Sequence, residues 1–336
     1  MCILPVFVGL DYHQDSVQVC VLNQQGESLL NRPVRNDVDS IIRLVSSQGQ
    51  VACAALEACC GSANLADELV AHSDWPVHLA HPGYVARMKQ SPDKTDFGDS
   101  RLLADLGRVG YLPKVWLAPE RTRRLRRLVR HRQNLVSART DCKLRIRALL
   151  RENRIAAPEG CHPWTQAWLA WLQECDQLVE DDRWLMDQHL EELRYRNERI
   201  RQAERQLLAH LEHDQLYQRL LAMAGVGPIT AATLCAEIGR FDRFRTGKQL
   251  ARFCCVTPRN ASSGQRQADA GLIKAGNPGL RKVLIELSHR LMRCDVYWRK
   301  FSAGLLRQGK PKNVVVAAVA NRWTRRLLHE MQTEIE

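Results

Sequence analysis

The sequence lacks the patterns that would direct a chain into or across a membrane. Its N-terminal apolar run is broken by Asp11 and has no basic segment before it, so no signal peptide is predicted. No stretch approaches the roughly 18 apolar residues that a spanning helix needs. Mean hydropathy is -0.34. We therefore expect a cytoplasmic protein with no membrane partner.

A metal-binding or disulfide pattern of cysteines is also missing. The chain has 12 cysteines, but none forms a Cys-x-x-Cys pair. The doublets Cys59-Cys60 and Cys254-Cys255 suit neither zinc nor ordinary disulfide spacing. Without a secretory signal, these residues are best interpreted as small buried apolar side chains.

Positive charge is present in excess and is concentrated in two blocks. The 336 residues carry a formal net charge of +12. The net charge is -4 over 1–115, +9 over 116–160, -6 over 161–215 and +13 over 216–336. Such blocks are typical of nucleic-acid contact rather than of general solubility.

The length fits two or three domains, and the patterns predict three: 1–115, 116–215 and 216–336. In the first, short β-branched runs precede helical patterns. We expect strands at 6–10, 17–22, 29–34, 51–56 and 77–80, and helices at 39–48, 63–72 and 99–109. Three strands, a helix, and then alternating strands and helices are the order of an RNase H-like mixed sheet.

Four acidic residues stand at chemically informative places in this segment. Asp11 interrupts an apolar strand, and Glu57 ends another. Asp96 and Asp99 are three residues apart at the start of a helical pattern, so they share one face. Grouping four like charges is costly unless a cation neutralises them. The pattern predicts a divalent-metal site and, from that, a phosphate-bearing substrate.

The central segment, 116–215, is predicted to be helical. One long basic amphipathic helix is expected over 120–153. Its first turns carry the predicted phosphate contacts Arg123, Arg124, Arg126, Arg127 and Arg130, with a solvated helix face as the alternative.

The acidic region 164–213 keeps heptad spacing. Asn197 falls at a core position of this pattern. Such an asparagine often fixes the register of a coiled coil. The alternative is a helical hairpin within one chain.

The last segment opens with two glycines, Gly225 and Gly227, before Pro228. The pattern is similar to a helix-hairpin-helix, in which backbone amides hold a nucleic-acid phosphate. A plain helix–helix turn is the alternative. No Gly-Lys-Ser/Thr follows, so a Walker loop is excluded.

Further along, a Ser-Ser-Gly loop that contains Ser263 lies among cations. No His or Asp spacing nearby supports a hydrolase triad. The cations predicted to contact nucleic acid here are Arg259, Arg266, Lys274 and Arg281.

Five motifs in order resemble one family over nearly the whole chain. They are Gly9-Leu10-Asp11, Leu56-Glu57-Ala58, Lys94-Thr95-Asp96-Phe97-Gly98-Asp99, Gly225-Val226-Gly227 and Thr257-Pro258-Arg259 with Ser263-Gly264. This set resembles the DEDD transposases of the insertion-sequence 110 family, including the 1111 subgroup and the Piv-type DNA invertases. A departure is Gln14, where many relatives have Lys three residues after the first Asp.

The resemblance implies an α/β plus α architecture: an N-terminal RuvC-like (RNase H-like) domain, a coiled-coil connector and a mainly helical C-terminal transposase domain. It implies Mg²⁺ held by Asp11, Glu57, Asp96 and Asp99, with Ser263 as nucleophile; the motif spacing favours Ser263 over Ser262. It further implies donor and target DNA, a structured noncoding bridge RNA as guide, a homo-oligomer (dimer or tetramer), and action at the bacterial nucleoid.

We therefore expect a Mg²⁺-dependent, RNA-guided DNA recombinase that moves an insertion sequence through a serine-linked intermediate. Two other functions stay open at this point. The first is a RuvC-like endonuclease that hydrolyses branched DNA, which would need no serine. The second is a catalytically silent RNA- or DNA-binding regulator.

Overall fold

A computed structural model describes residues 4–89, 95–260 and 269–332. The chain divides into two compact units, Met1–Ala118 and Pro119–Glu336, and each is described by itself. The finer division of the second unit into two domains at 215/216 stays a prediction.

Unit 1 is built on a mixed sheet of six strands in the order β3-β2-β1-β4-β5-β6. The first three strands are consecutive and antiparallel, β4 and β5 then add parallel, and β6 pairs antiparallel with β5. This arrangement confirms the predicted RNase H-like mixed sheet. The strands are β1 (Pro5–Tyr12), β2 (Ser16–Leu22), β3 (Ser28–Arg35), β4 (Gln50–Glu57), β5 (Val77–Ala80) and β6 (Lys114–Val115).

Four helices accompany the sheet: α1 (Val38–Ser46), α2 (Ser62–His72), α3 (Pro82–Met88) and α4 (Asp96–Arg108). The predicted helix at 99–109 begins three residues earlier, because the Thr95 side chain caps it by accepting from the Gly98 amide. Helix α3 and strand β6 were not predicted. Val8, Leu10, Val19, Ile41 and Leu56 lie in the fully buried core between the sheet and its helices.

Unit 2 begins with a helical hairpin formed by α5 (Glu120–Glu152) and α7 (Glu180–Ala209), with the short α6 (Gln166–Glu174) between them. The heptad residues Met186, Leu190 and Leu193 are buried in a cluster with residues of α5 and α6. Arg139 of α5 donates to the Asn197 side chain at 3.3 Å. The heptad stripe is therefore covered within one chain, and pairing of this region between protomers stays a prediction.

The rest of unit 2 is mainly helical, as predicted. It contains α8 (Gln215–Ala222), α9 (Pro228–Glu237), α10 (Gly247–Phe253), α11 (Pro278–Cys294), α12 (Val296–Arg307) and α13 (Lys312–Gln332), with a hairpin of β7 (Pro258–Asn260) and β8 (Asp269–Leu272). One continuous core joins α8–α13 to the start of α5 and the end of α7.

Two compositional predictions meet the structure here. Within the described ranges, no helix combines the length and apolarity needed to cross a membrane. Most of the described cysteines are buried, as expected for small apolar side chains, whereas Cys59, Cys60 and Cys294 are exposed. Burial raises the pKa of the Cys20 thiol to about 11, which keeps this thiol protonated at neutral pH.

Candidate functional site

Asp11 and Glu57 lie at the same edge of the sheet, on neighbouring parallel strands. Leu10 of β1 is paired with Leu56 of β4, so the residue that follows each of them lies at the carboxyl end of the pair. The two apolar runs form largely buried strands, and the acid is the first charged residue of each strand.

Helix α4 brings two further acids to this edge from its first turn. Asp96 and Asp99 both belong to that turn, where the positive end of the helix dipole favours negative charge. The turn is anchored to β3, because Asn31 donates to the Phe97 carbonyl at 3.0 Å and accepts from the Ser100 hydroxyl at 3.3 Å. The helix start is thus fixed to the sheet by polar contacts as well as by its apolar face.

A histidine completes the cluster. His13 Nε2 lies 3.5 Å from Asp11 Oδ2 and 3.2 Å from Asp96 Oδ2. One ligand atom from each of these three residues lies within 4.8 Å of the others. The sequence prediction comprised four carboxylates and did not include His13. Its position two residues after Asp11, at the end of a strand, was the available signal, because such residues lie on one side of an extended chain.

The electrostatics of Asp11 show that negative charge is crowded at this point. The pKa of Asp11 is raised, first by burial and then by the charges of Asp96, Asp99 and Glu57, while His13 opposes the rise. Each of the other three predicted acids therefore lies close enough to act on the Asp11 carboxylate. Among the described residues, the carboxylate oxygens of this compact cluster come from Asp11 and Asp96, and coordination of a metal by Glu57 and Asp99 stays a prediction.

Asp99 has a separate partner. Lys89, which ends α3, places its Nζ 2.5 Å from Asp99 Oδ1, and the Asp99 side chain is 13% exposed. The ammonium group neutralises this carboxylate in the structure. Lys89 follows α3, a helix that was not predicted, so the position of Lys89 in the sequence did not indicate this contact.

The cluster has the donor chemistry of a divalent-cation site. Asp11 and Asp96 supply carboxylate oxygens, which suit Mg²⁺ and Mn²⁺, and His13 adds an imidazole nitrogen, which suits Mn²⁺ better than Mg²⁺. A cation there would offset both the burial and the repulsion that raise the pKa of Asp11. The residues present therefore fit such an ion, with Glu57 close enough to add negative charge.

The predicted nucleophile Ser263, its neighbour Ser262, and Arg266 lie outside the described residues, so their roles stay predictions. The strands on either side of this segment, β7 and β8, belong to the described residues. Asn321 of α13 donates to the Val256 carbonyl at 3.1 Å, which ties the entrance of β7 to α13. A cavity of about 1040 Å³ lies beside the hairpin, with Pro258, Leu272 and Asn321 in its wall.

The described cations near the hairpin differ in their surroundings. Arg259 and Lys274 are exposed. Arg281 is engaged in the fold, since its Nη1 donates to the Ile273 carbonyl at 3.0 Å. Nucleic-acid contact by all three stays a prediction.

The arginines of α5 divide into structural and exposed members. Arg130 makes two hydrogen bonds of 3.0 Å to the carboxylate of Glu237, whose side chain is 4% exposed. Arg126 donates to the Ala236 and Glu237 carbonyls at 2.8 and 3.2 Å, at the end of α9. Arg124 pairs with Glu120 one turn before it.

Arg127 is exposed on the same helix and is available to an external anion. Arg123 is partly buried and has an interaction within the fold. The fold thus uses several of the predicted phosphate contacts, and binding of nucleic acid by the five arginines stays a prediction.

The Gly225–Gly227 turn joins α8 to α9, as the helix-hairpin-helix pattern requires. Gly225 has a φ of 78°, which favours glycine, and a Cβ there would lie 2.8 Å from Leu291 Cδ2. A Cβ on Gly227 would lie 3.2 Å from Arg290 Nη1. The turn therefore packs on α11, with a guanidinium group beside it.

Comparison with known families agrees with this architecture. A model of DEDD transposases of the IS110 type, described as "Transposase", matches residues 8–154. A second, described as "Transposase IS116/IS110/IS902 family", matches residues 217–303. The first match covers the acidic cluster, and the second covers the glycine turn and the β7–β8 hairpin.

Individual relatives match over most of their length. A protein of Pseudomonas aeruginosa named "Probable family 20 transposase" is 30% identical over 94% of this chain and 93% of its own. The transposase of insertion sequence element IS1111A from Coxiella burnetii is 28% identical over 85% and 78%. That of IS1328 from Yersinia enterocolitica is 26% identical over 95% and 94%.

An RNase H-like sheet with acids at its edge, followed by a mainly helical unit, is the architecture that these matches span. The chain belongs to the IS110 family of insertion-sequence transposases.

Proposed function

We propose that this chain is a divalent-metal-dependent DNA recombinase that cuts and rejoins the strands of an insertion sequence through a serine-linked intermediate, guided by a structured RNA. The observation that carries the metal-dependent part is the meeting of Asp11, His13 and Asp96 at one edge of the sheet. Family membership supports DNA as substrate and a divalent metal as cofactor; Mg²⁺ is the metal that the family resemblance implies.

When bound, the cation would polarise a phosphodiester and stabilise the oxygens that enter and leave. The residues of this chain have two tasks around it. Asp11 and Asp96 hold it from two elements, a strand and a helix, so that its position is set by the fold rather than by one flexible loop. Glu57 adds negative charge beside it, which favours a divalent over a monovalent ion.

Ser263 would supply the nucleophile. Its Oγ forms a bond to phosphorus, the bond from phosphorus to a deoxyribose oxygen breaks, and the hydroxyl proton passes to a base or to water. The covalent phosphoserine conserves the energy of the broken linkage, so a second DNA end can reverse the step and be joined. Plain hydrolysis would lose that energy.

Guidance by a bridge RNA and assembly as a dimer or tetramer are further parts of the proposal. They derive from the family resemblance, and the net charge of +9 over 116–160 and +13 over 216–336 supports a second polyanion beside DNA. Donor and target DNA would be met at the bacterial nucleoid.

A strand-cleavage assay tests the proposal against a non-catalytic regulator. DNA that carries the ends of the element would be incubated with the protein and the flanking noncoding RNA, with Mg²⁺ or with EDTA. We expect cleavage that requires the metal and is lost in Asp11→Asn and Glu57→Gln. The matched control is Glu68→Gln, which removes an exposed carboxylate from α2 of the same unit. Binding without cleavage under every condition would contradict the proposal.

A further inference from the structure

A second cationic surface lies in unit 2, and its lining contains no residue of α5 or of the β7–β8 hairpin. It is a groove of about 720 Å³ between the start of α10 and the middle of α13. We call it the α10–α13 groove. Its lining consists of Thr246, Gly247, Lys248, Arg322, Arg325 and Arg326. Four of these six residues are cations, and among the described residues that line it none is acidic.

The backbone of this groove is set by a glycine. A Cβ on Gly247 would lie 2.7 Å from the Arg325 carbonyl oxygen and 2.9 Å from its Cα, so the start of α10 lies directly on the backbone of α13. Thr246 caps α10 by accepting from the Gln249 amide. This close approach places Lys248 beside the arginines of α13.

Two of the arginines are held in position by aromatic rings of α12. The Arg322 guanidinium carbon lies 4.8 Å from the ring centre of Phe301, and that of Arg326 lies 5.7 Å from the ring centre of Tyr297. Arg326 also pairs with Glu330 at 2.7 Å. Such cation–π contacts orient a guanidinium group without neutralising it, which reduces the entropy lost when an anion binds.

The other two cations, Lys248 and Arg325, are exposed. Within the part of the chain that the structure describes, neither Lys248 nor Arg325 forms an ion pair with an acid. Arg322, Arg325 and Arg326 share one helix face, because they are three and four residues apart. The groove therefore presents two arginines oriented by aromatic rings and two cations without an ion pair among the described residues, and one extended anion could contact all four.

We propose that the α10–α13 groove binds the phosphodiester backbone of a nucleic acid, with Lys248 and Arg325 as direct phosphate contacts. The spacing of cations along a helix, with no acid in the lining, matches a chain of phosphates better than a single small anion. DNA and RNA share this backbone. This proposal depends on the proposed function in one respect, namely that the partner is a nucleic acid.

Salt-dependent binding tests this proposal without requiring catalysis. The full chain and the double variant Lys248→Gln/Arg325→Gln would be titrated with a random-sequence DNA duplex and with a single-stranded RNA, in EDTA, over a series of NaCl concentrations. Each lost phosphate contact removes about 0.9 from the slope of log K against log[NaCl] for duplex DNA and about 0.7 for a single strand. We expect a slope shallower by about 1.8 with DNA, or by about 1.4 with RNA.

Two controls keep the outcome decisive. Arg194→Gln/Lys300→Gln removes the same charge from exposed positions of α7 and α12, and its slope should match that of the wild type. Lys248→Arg/Arg325→Lys keeps the charge and should keep the slope. Because both groove side chains are exposed, the melting temperature should not change in any variant.

A change of slope in one arm identifies DNA or RNA as the ligand. Unchanged slopes in both arms, or the same change in the Arg194→Gln/Lys300→Gln control, would overturn the proposal. A protein with the expected slopes that cleaves no DNA would contradict the proposed function and leave the groove standing.

Discussion

Gly9 of β1 lies directly under the backbone of Ser100 in α4. A Cβ at position 9 would be 1.9 Å from the Ser100 carbonyl oxygen and 2.6 Å from the Ala104 amide nitrogen. Both neighbours are backbone atoms, so no side-chain rotation can relieve the clash. The absence of a side chain at Gly9 is therefore what lets α4 lie against β1 and present Asp96 beside Asp11.

Gly9→Ala should push α4 away from the sheet and destabilise the fold by about 3 kcal/mol, the upper part of the range for overpacking. The first turn of α4 would then shift relative to Asp11, and metal-dependent cleavage should fall further than the folded fraction does. Denaturant unfolding and cleavage by the residual folded protein measure the two effects. The control is Gly304→Ala in α12, where a Cβ meets nothing within 4 Å and should be tolerated. Equal stability of the two variants would contradict the assigned role of Gly9.

Asp11→Asn should separate activity from stability. Burial and three neighbouring acids raise the pKa of Asp11, so the ionised carboxylate is unfavourable without a cation. In EDTA, the variant should melt at a higher temperature than the wild type. Mg²⁺ at about 100 times its Kd should stabilise the wild type by about 2.7 kcal/mol and leave the variant unchanged. Thermal melts with and without the metal decide this; equal stabilisation of both proteins would show that the ion binds elsewhere.

His13→Asn should change metal preference. The imidazole lies within 3.5 Å of both Asp11 and Asp96 and is a better ligand for Mn²⁺ than for Mg²⁺. Removing it should lower the affinity for Mn²⁺ by about tenfold while that for Mg²⁺ changes little. Titration of cleavage with each metal gives the ratio of the two apparent affinities. An unaltered ratio would mean that His13 is not a ligand of the metal.

Glu237→Gln should lower the stability of the fold, whereas Arg127→Gln should weaken DNA binding. Glu237 is almost fully buried and accepts two charge-assisted hydrogen bonds from Arg130, so its loss should lower the free energy of unfolding by about 2 kcal/mol. Arg127 is exposed, and its loss should leave stability unchanged and weaken binding of duplex DNA. Unfolding and DNA titrations on both variants test the contrast. Weakened binding in Glu237→Gln alone would point instead to an indirect effect through the fold.

The sequence predicted the sheet well because its strands are β-branched runs bounded by clear turns. Val17–Leu22 and Val51–Leu56 were each placed within one residue of the observed strand ends. Helix α3 was missed because it has seven residues and begins with Pro82 and Gly83, which resemble a turn. Strand β6 has two residues, and its pairing with β5 is a tertiary contact that no local pattern encodes.

Acidic residues of the candidate site were predicted, whereas His13 and Lys89 were not. A charged residue that ends a buried strand is a local signal, so Asp11 and Glu57 could be found. His13 and Lys89 act through distances that exist only after folding. The same limit applies to Arg130, whose partner Glu237 is 107 residues away, and to Lys248, which meets α13 only through the close approach at Gly247.

The most direct test is to trap the protein–DNA adduct. DNA that carries an element end would be labelled at a single strand, incubated with protein, RNA and Mg²⁺, and denatured; the adduct would be digested and its attachment site mapped by mass spectrometry. The proposed function predicts a phosphodiester-linked peptide that contains Ser263, absent in Ser263→Ala and in Asp11→Asn but present in Ser262→Ala. Mg²⁺-dependent cleavage that continues in Ser263→Ala, with free DNA ends and no adduct, would contradict the serine mechanism and identify a RuvC-like nuclease instead.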